Sequence, residues 1–525
     1  MTSPQEETKP IWGSELRELD ERNAHARQLG GEANIARQHA AGKLTARERI
    51  ERLVDPGSFH EVGALTGTAE YAEDGSFLSA LPANVVVGKG KADARPIAVS
   101  ADDFTVRGGS SEATSPEKWQ FIERWALETR QPLVRLVDTA GGSIRLLEKA
   151  RATKIPGYPH WPINDLLATV PVVAVAMGPC AGFGAVRVVM SHFSVMVAGS
   201  SQVFAGGPHV VAPGVGERID KEELGGAAVH ARRSGVVDNE AKSEAEALAQ
   251  VRRFLSYLPS SVYELPPCAA ATDRTDRRDE SLASIIPRNQ RKPYPVRRII
   301  ESIMDTGSVF EIGRYQGRSS VAVLGRLNGR PVGLMANDPM QLGGAMTVES
   351  SEKITRFVDM CDNFHLPIIN LMDQPGVYVG RQAEERGTIR KALRARMAIG
   401  QVSVPWCTIF IRRAFGVAGG AYGPQQHAYV RYAWPSAYWG SIPVEGGVEA
   451  AYRKDIANAD DPDLRRDSLI DYYHRLESPF RTAERFGIEE VIDPRETRPL
   501  LCEWVEESYR VLPQQLGLTQ HTYRV

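Results

Sequence analysis

The stretch ADDFTVRGGS, residues 101–110, has a counterpart in the second half of the chain, where residues 336–345 read ANDPMQLGGA. The two stretches lie 235 residues apart. The next landmark keeps that spacing, because QPLVRLVDTAGG ends an apolar run at Asp138 and LPIINLMDQPG ends one at Asp373. Similarity at a fixed long period indicates that one half of the chain duplicates the other.

Two further matches extend the duplication in both directions. The segment VPVVAVAMGPCAGFGAV, residues 170–186, aligns with VPWCTIFIRRAFGVAGGAY, residues 404–422. More loosely, DPGSFHEVG from Asp55 aligns with DTGSVFEIG from Asp305. The sequence therefore predicts two similar lobes.

Each half alternates short apolar, β-branched runs with helical stretches, which is the pattern of an α/β fold with largely buried strands. PLVRLVD, VPVVAVAM and SVMVAG are predicted strands of the first half, and LPIINLMD and VPWCTIFI are predicted strands of the second. A polar, charged segment with several prolines separates the halves. We predict an N-terminal lobe over residues 1–270 that begins with amphipathic helices, a linker over 271–294, and a C-terminal lobe over 295–525.

Composition excludes several classes of protein. A net charge of −2 over 525 residues gives no basic excess for nucleic acid. Neither a membrane span of about 20 apolar residues nor the basic start and apolar run of a secretory signal is present in the sequence, so we expect a cytoplasmic location. The five cysteines lie far apart without metal-ligand spacing, and we expect buried thiols, no disulfide and no metal site.

The usual catalytic motifs are missing from the sequence, which contains no GxSxG elbow, Walker loop or HExxH. Instead a glycine-rich turn follows an apolar strand in each half: GPCAGFGAV at 178–186 and AFGVAGGAYG at 414–423. Backbone N–H groups at such a turn can hold the negative charge of an enolate oxygen. Tight packing between strand and helix would require the same glycines, and spacing alone leaves both interpretations open.

Several motifs together resemble the carboxyltransferase β subunits of propionyl-CoA, acetyl-CoA and methylcrotonyl-CoA carboxylases. The resemblance covers nearly the whole chain. The segments that carry it are ARQHAAGKLTARERIERLVDPGSFHE (36–61), DFTVRGGS (103–110), GPCAG (178–182), ELGGAAVHARRSGV (223–236), SSEKITRFVDMCDNFHLPI (350–368) and IDPRETR (492–498).

The resemblance implies two crotonase-like lobes, each a ββα superhelix, in a homohexamer. It implies that Gly182, Gly184 and Ala185 of the first turn form an oxyanion hole for the acyl-CoA thioester oxygen. In the second turn, Gly420 and Ala421 would hold the ureido oxygen of biotin, and Gly419 would belong to the same biotin site. Because the sequence has no AMKM biotin-attachment motif and no ATP-grasp segment, carboxybiotin is expected from a separate biotin carboxylase and biotin carrier subunit.

Departures from the family pattern point to an acyl group other than acetyl or propionyl. Phe183 interrupts the usual Gly-Gly pair, Gly423 after Tyr422 replaces an acidic selectivity residue, and Val417-Ala418 is interpreted as an insertion that lengthens the second turn. Residues 146–162 have no counterpart that we recognise in the family. The candidate substrate-binding residues are Phe183, Tyr158, Trp161, Tyr422 and Gly423.

Three other residues could have either a functional or a purely structural role. His160 is a candidate acid or base because histidine side chains can transfer protons near neutral pH, but a histidine between Pro and Trp is more often a packing or surface residue. Asp138 and Asp373 end strands, and we expect them to cap the turns that follow.

Other functions remain compatible with the sequence. The same site run in reverse would make the chain the carboxyltransferase subunit of a biotin-dependent acyl-CoA decarboxylase. A crotonase-type hydratase or isomerase would need a Glu or Asp at the first turn, and none follows GPCAGFGAV closely. A structural subunit with a degenerate site is the non-enzymatic alternative.

Overall fold

The computed structural model describes residues 11–153, 155–424, 429–521 and 523–525. The first ten residues, which we considered for a secretory signal, lie outside this range, as does Lys154 of the 146–162 segment. The chain forms two compact units. One consists of the residues up to Leu166, with Val172–Val229 and Glu240–Arg252, and the other of Leu167–Pro171, His230–Asn239 and Arg253–Val525. The boundary at residue 270 and the 271–294 linker stay predictions.

The first half of the chain builds one large sheet and a separate hairpin, β2–β3. The sheet has the order β1-β4-β5-β6-β7-β8-β10, with β9 paired to the end of β7. The strands are β1 His60–Val62, β2 Gly67–Tyr71, β3 Phe77–Pro82, β4 Val85–Ala92, β5 Arg95–Asp102, β6 Leu133–Thr139, β7 Val172–Ala181, β8 Phe193–Val197, β9 Gln202–Phe204 and β10 Asn239–Ala241. The helices are α1 Gly13–Arg27, α2 Glu32–Ala40, α3 Ala46–Leu53, α4 Pro116–Glu128, α5 Arg145–Ala150, α6 Ile163–Thr169, α7 Phe183–Val189, α8 Pro208–Val215, α9 Lys221–Gly225, α10 Ala227–Val229 and α11 Glu244–Leu255.

The second half builds a sheet with the order β11-β12-β13-β14-β15-β16-β18, with β17 paired to the end of β15. The strands are β11 Phe310–Ile312, β12 Ser320–Leu327, β13 Arg330–Asn337, β14 Ile368–Gln374, β15 Trp406–Phe415, β16 Tyr429–Ala433, β17 Tyr438–Gly440 and β18 Glu490–Val491. The helices are α12 Val296–Ile303, α13 Val348–Asn363, α14 Arg381–Glu385, α15 Thr388–Gln401, α16 Gly416–Gly419, α17 Val444–Ala457, α18 Pro462–Leu476, α19 Pro479–Ala483 and α20 Thr497–Val511.

The two sheets repeat one topology strand for strand, which confirms the predicted duplicated α/β fold. Both begin with antiparallel pairs and continue with parallel ones. Even an irregularity is repeated, since the β6–β7 pairing shifts register between Val137 and Thr139 and the β14–β15 pairing shifts between Met372 and Gln374. The 3-10 turns after β5 and β13 each contain a glycine with a φ of 63°, Gly108 and Gly343.

The central strands carry the core. Every residue of β6 and β14 is buried, as are the first seven residues of β7 and of β15. Strands covered on both faces need continuous apolar runs, and this is why the sequence shows runs such as VVAVAM instead of an alternating pattern.

Asp138 ends the apolar run of β6 and does not cap the following turn, so that prediction was wrong. Its buried carboxylate accepts hydrogen bonds from Lys43 Nζ at 2.9 Å, Arg49 Nη1 at 2.9 Å and Gln38 Nε2 at 3.3 Å. Arg49 also pairs with Glu244 at 2.6 Å. A carboxylate with no access to water must be paired with cations, and here Lys43 between α2 and α3 and Arg49 of α3 supply them.

Asp373, the equivalent residue of β14, is likewise a buried acceptor and not a turn cap. It accepts from Arg412 Nε at 3.0 Å, Arg413 Nε at 2.6 Å and Tyr294 Oη at 2.9 Å. Burial alone would raise the pKa of Asp373, but the two guanidinium groups hold it below its usual range.

The cations reach the two aspartates by different routes. Position 178 of β7 corresponds to position 412 of β15. A Cβ at Gly178 would lie 2.1 Å from Asp138 Oδ1 and 2.4 Å from Lys43 Nζ, so the glycine leaves the space that Lys43 enters. In the second unit the residue at this position, Arg412, is itself the cation. The two halves therefore pair the equivalent buried aspartates with different residues.

Three sequence expectations concern the cysteines, membrane-spanning helices and metal sites. All five cysteines are free thiols, and burial is confirmed for Cys180, Cys361, Cys407 and Cys502 but wrong for Cys268, which is exposed. Within the described residues, no helix is both long and apolar enough to cross a membrane. The same residues contain no group of three or more His, Cys, Asp or Glu placed to hold a metal ion.

Asp373→Asn is expected to destabilise the second unit by about 3–5 kcal/mol, because it leaves the buried guanidinium group of Arg412 and the partly buried one of Arg413 without a carboxylate. Urea unfolding followed by intrinsic tryptophan fluorescence, to which the buried Trp406 and Trp434 of the second unit contribute, measures this loss. Asp463→Asn is the matched control, since the Asp463 side chain is 87% exposed and solvent screens its pair with Arg466. Equal midpoints for the two variants would contradict the assignment.

The stability that the Asp373 carboxylate contributes should also depend on pH. Because the folded pKa of Asp373 lies below the unfolded value of about 4, its stabilisation is complete above that pH and is lost as pH falls through the folded pKa. The stability difference between wild type and Asp373→Asn should therefore be constant from pH 6 to 8 and shrink below about pH 4. A difference that grows with acidification would refute this interpretation.

Candidate functional site

The first glycine-rich turn joins β7 to α7 at Gly182. Its backbone has a φ of 57° and a ψ of −116°, which a side chain would strain. Gly182 N–H donates to the Phe204 carbonyl at 3.1 Å, and its carbonyl accepts from Val186 N–H at 3.2 Å. The helix therefore begins at Phe183, and the first-turn N–H groups of Phe183, Gly184 and Ala185 point beyond its start, where they can meet a ligand.

Packing accounts for the glycine at 184. A Cβ there would lie 2.3 Å from Thr139 Cγ2. Thr139 cannot easily move away, because its hydroxyl donates to the Gly109 carbonyl at 2.6 Å. The packing interpretation of this glycine is correct, and it places the helix start directly against the end of β6.

The second turn has the same backbone bonding at an offset of 234 residues. Gly416 has a φ of 61°, and its carbonyl accepts from Gly420 N–H at 3.1 Å, as the Gly182 carbonyl accepts from Val186. Val417 and Ala418 therefore add no residue relative to the first turn of this chain, and the lengthening relative to the family pattern stays a prediction. Val417 and Ala418 occupy the places of Phe183 and Gly184.

This equivalence changes which N–H groups are available in the second turn. The Gly420 N–H donates to the Gly416 carbonyl, and the Ala421 N–H donates to the Ala418 carbonyl at 3.1 Å. The two residues predicted to hold a ligand oxygen thus have backbone partners, whereas Val417 and Ala418 stand at the helix start. Gly420 and Ala421 were predicted from the family resemblance, whereas the 234-residue offset makes Val417 and Ala418 equivalent to Phe183 and Gly184.

A cavity of about 670 Å³ opens beside the second turn. Gly416, Val417, Gly419 and Gly420 line it together with Tyr422. The remaining lining residues are Phe410, Ala414, Arg431, Trp439, Gly440, Ser441, Gly487 and Ile488.

Ala421 and Gly423 are placed differently from their neighbours in the motif. Ala421 is buried. A Cβ at Gly423 would lie 3.0 Å from Trp406 Cδ1, so this glycine allows a close approach to an indole inside the second unit. Its predicted part in substrate binding stays a prediction.

Four aromatic rings surround the first turn. The centroid of Phe183 lies 4.4 Å from Tyr158, 5.0 Å from Trp161 and 5.5 Å from Trp119. Trp119 is 5.1 Å from Tyr158 and 6.0 Å from Trp161. We call Trp119, Tyr158, Trp161 and Phe183 the aromatic cluster. The structure brings three sequence candidates together, and it adds Trp119 of α4, which the sequence analysis missed.

Buried ion pairs lie next to the aromatic cluster and hold part of it in place. Trp161 Nε1 donates to Glu123, which also accepts two hydrogen bonds from Arg135 at 2.8 Å each. Arg187 of α7 donates to Asp102 at 2.8 Å. An arginine inside the apolar strand PLVRLVD was the available sequence signal for this layer, because such a residue needs a buried partner.

The other titratable candidates of this region divide by exposure. Tyr158 is half-buried, and burial raises the pKa of its hydroxyl. His160, two residues away, is exposed. The exposed position supports the surface interpretation of this histidine.

Comparisons with known proteins cover nearly the whole chain. The family described as "Carboxyl transferase domain" matches residues 37–510. The propionyl-CoA carboxylase beta chain of Roseobacter denitrificans is 36% identical over 491 residues, covering 92% of this chain and 94% of the relative. The methylmalonyl-CoA decarboxylase subunit alpha of Veillonella parvula is 33% identical, covering 92% and 93%.

A solved structure shares the fold. The transcarboxylase 12S structure, described as a hexamer assembly with methylmalonyl-coenzyme A and methylmalonic acid bound, superposes with a TM-score of 0.86 at 30% identity. The match covers 100% of this chain and 98% of that one.

Gly184→Ala should lower the free energy of unfolding by about 1–3 kcal/mol, because its Cβ overlaps the Thr139 methyl group. Chemical denaturation of the variant measures the change. Gly214→Ala is the control in the same unit, since a Cβ there meets no other described atom within 4 Å. An unchanged stability for Gly184→Ala would show that the first turn tolerates displacement.

Proposed function

This chain belongs to the carboxyl transferase family, as a carboxyltransferase subunit of the propionyl-CoA carboxylase type, and we propose that it moves a carboxyl group between biotin on a separate subunit and the α-carbon, or a vinylogous carbon, of an acyl-CoA. The observation that carries the proposal is the duplicated turn. Each half places first-turn N–H groups of a helix at the end of a buried strand, after a glycine with a φ near 60°. Two such positions suit a reaction in which two different oxygens become negative.

The first turn is the proposed oxyanion hole for the acyl-CoA. When the α-proton of a thioester leaves, the charge develops on the carbonyl oxygen. N–H groups of Phe183, Gly184 and Ala185 can stabilise this oxygen as donors fixed before the reaction, so that no reorganisation is needed in the transition state. Gly182 supplies the backbone turn that aims them, because its own N–H is bound to Phe204.

The second turn is the proposed site for the ureido oxygen of biotin. Carboxybiotin supplies the carboxyl group when it is bound. The cavity of about 670 Å³ beside the turn has room for a fused bicyclic ring. Its wall contains Gly419 and Gly420, two of the three biotin-side candidates, and Tyr422, a substrate-binding candidate. We assign the donor role to the N–H groups of Val417 and Ala418, because those of Gly420 and Ala421 have backbone partners.

The partners follow from the same proposal. A separate biotin carboxylase with a biotin carrier would deliver the carboxyl group, since this chain has no biotin-attachment motif. We also propose a homohexamer, which is supported by the hexamer described for the transcarboxylase 12S relative.

Decarboxylation is the second candidate function. The similarity to a methylmalonyl-CoA decarboxylase subunit favours it, because that relative is matched over 93% of its length, against 94% for the carboxylase chain. The backbone donors serve either direction equally. Reconstitution with two different partners distinguishes the two. Net formation of carboxyacyl-CoA with an ATP-dependent biotin carboxylase and its biotinylated carrier favours carboxylation, whereas turnover only with a membrane ion pump that decarboxylates the carboxybiotin favours decarboxylation.

Val417→Pro should lower the rate of free-biotin-dependent decarboxylation of carboxyacyl-CoAs by about 10²–10³, because it removes one N–H donor. Proline is compatible with the first turn of a helix, so the fold should persist. Val417→Ala is the matched control that keeps the N–H, and its rate should stay within a few-fold of wild type.

Ala421→Pro separates the two assignments of the second turn. If Val417 carries the donor, Ala421→Pro should cost less than about tenfold in rate, because it removes only a hydrogen bond to the Ala418 carbonyl. A large loss in Ala421→Pro together with an active Val417→Pro would return the role to Gly420 and Ala421. Undiminished turnover in both variants would refute the proposed biotin-side oxyanion hole.

A further inference from the structure

One member of the aromatic cluster, Phe183, directly follows the glycine of the first turn. Phe183 is the first residue of α7, so its backbone N–H faces the proposed thioester oxygen while its ring joins Tyr158, Trp161 and Trp119. Trp119 is 2% exposed and forms the inner side of the cluster. The other three rings are half-buried and keep surface available at the turn.

This arrangement is fixed from behind. Trp161 is held through Nε1 by Glu123, which is fully buried and bound twice by Arg135. Guanidinium groups also lie over the rings, with Arg135 5.6 Å from the centroid of Trp161 and Arg187 5.7 Å from that of Trp119. Side chains held by packing and by buried hydrogen bonds lose little entropy when a ligand binds.

The cluster is filled, and this decides what it can bind. Centroid distances of 4.4 to 6.0 Å between the rings leave no gap for a ligand to enter between them. A ligand can therefore only lie against the outer surface, which is a wall of ring faces and edges. Several pairs meet edge to face, with interplanar angles of 79°, 86° and 69°.

We propose that the aromatic cluster is the wall of the acyl site and that it selects acyl-CoAs whose acyl group ends in an aromatic ring. The proposal rests on the proposed function, because the thioester must lie at the first turn for the acyl chain to reach the wall. A terminal ring adds one more edge-to-face or offset contact to a surface already built of such contacts. A methyl or ethyl group would leave most of that apolar surface in water.

Binding of unreactive CoA thioethers tests the proposal without chemistry. Isothermal titration of the full chain with S-(3-phenylpropyl)-CoA, S-hexyl-CoA and S-ethyl-CoA compares a ring, a chain of similar length and a short chain. The phenylpropyl thioether should bind about tenfold or more tightly than the ethyl thioether, and more tightly than the hexyl one.

Two variants place the preference on the wall. Tyr158→Leu and Trp161→Leu should each reduce the phenylpropyl-to-ethyl preference to less than about threefold, because each removes a ring that the ligand contacts. Phe121→Leu is the control, since Phe121 is exposed on the same helix as Trp119 and contacts Trp125 at 6.0 Å. It should keep the wild-type preference. If Trp161→Leu fails to fold, Tyr158→Leu decides, because residue 158 lies in a loop.

The outcomes separate the wall from the proposed function. Equal affinities in wild type, tighter binding of the hexyl or ethyl thioether, or a preference that survives in Tyr158→Leu would overturn the aromatic wall. Turnover of malonyl-CoA and benzylmalonyl-CoA with free biotin is measured in parallel. Turnover without an aromatic preference removes only the wall, whereas an aromatic binding preference without any turnover removes carboxyl transfer and leaves the wall standing.

Discussion

A buried carboxylate at the end of one central strand in each unit determines how the surrounding elements are placed. Asp138 and Asp373 have no exposed surface, and a charge in that position persists only with close cationic partners. In the second unit, one of those partners continues to the neighbouring turn, since Arg413 also donates to the Gly343 carbonyl at 2.7 Å. The carboxylate therefore joins the ends of β14 and β15 to the 3-10 turn after β13, directly before the glycine-rich turn at Gly416.

The two units use side chains of different charge to accept the backbone N–H of the buried aspartate. Asp102 and Asn337 stand at equivalent positions, and each accepts from the backbone N–H of the buried aspartate, at 3.3 Å and 3.1 Å. Asp102 accepts a hydrogen bond from Arg187, whereas the position equivalent to Arg187 is Ala421. The first unit therefore has both charged residues of the pair, and the second unit has neither. This is expected because removal of one partner alone would leave a buried charge uncompensated.

The sequence predicted the duplication and the central strands because both depend on local pattern. Runs such as VPVVAVAM and LPIINLMD are continuous and apolar, and the strands β7 and β14 follow them closely. The partners of Asp138 could not be predicted, because Lys43 and Arg49 lie 95 and 89 residues away and Lys43 enters space that Gly178 leaves open. Local rules for a strand-ending aspartate favour a turn cap, and burial overrode them.

The same limit applies to the candidate site. The sequence identified both turns, since glycines after an apolar strand are visible in one dimension. It could not tell which N–H groups are engaged, because that depends on carbonyls such as those of Phe204 and Gly416 and on the backbone register of the turn. Trp119 was missed for a related reason: on an amphipathic helix, its spacing looks like that of any core residue.

The first position after the turn glycine shows how a duplicated backbone can serve two ligands. Phe183 and Val417 have equivalent backbone places, so the N–H geometry at the two helix starts is common to both units. The side chains diverge: the ring of Phe183 is anchored in the aromatic cluster, whereas Val417 is 54% exposed and lines the cavity. Because stabilisation of an oxyanion needs only the backbone, mutation at these positions is free to change the shape of each site without removing the donor. Duplication followed by such changes is sufficient to turn one oxyanion-binding turn into two sites that recognise different molecules.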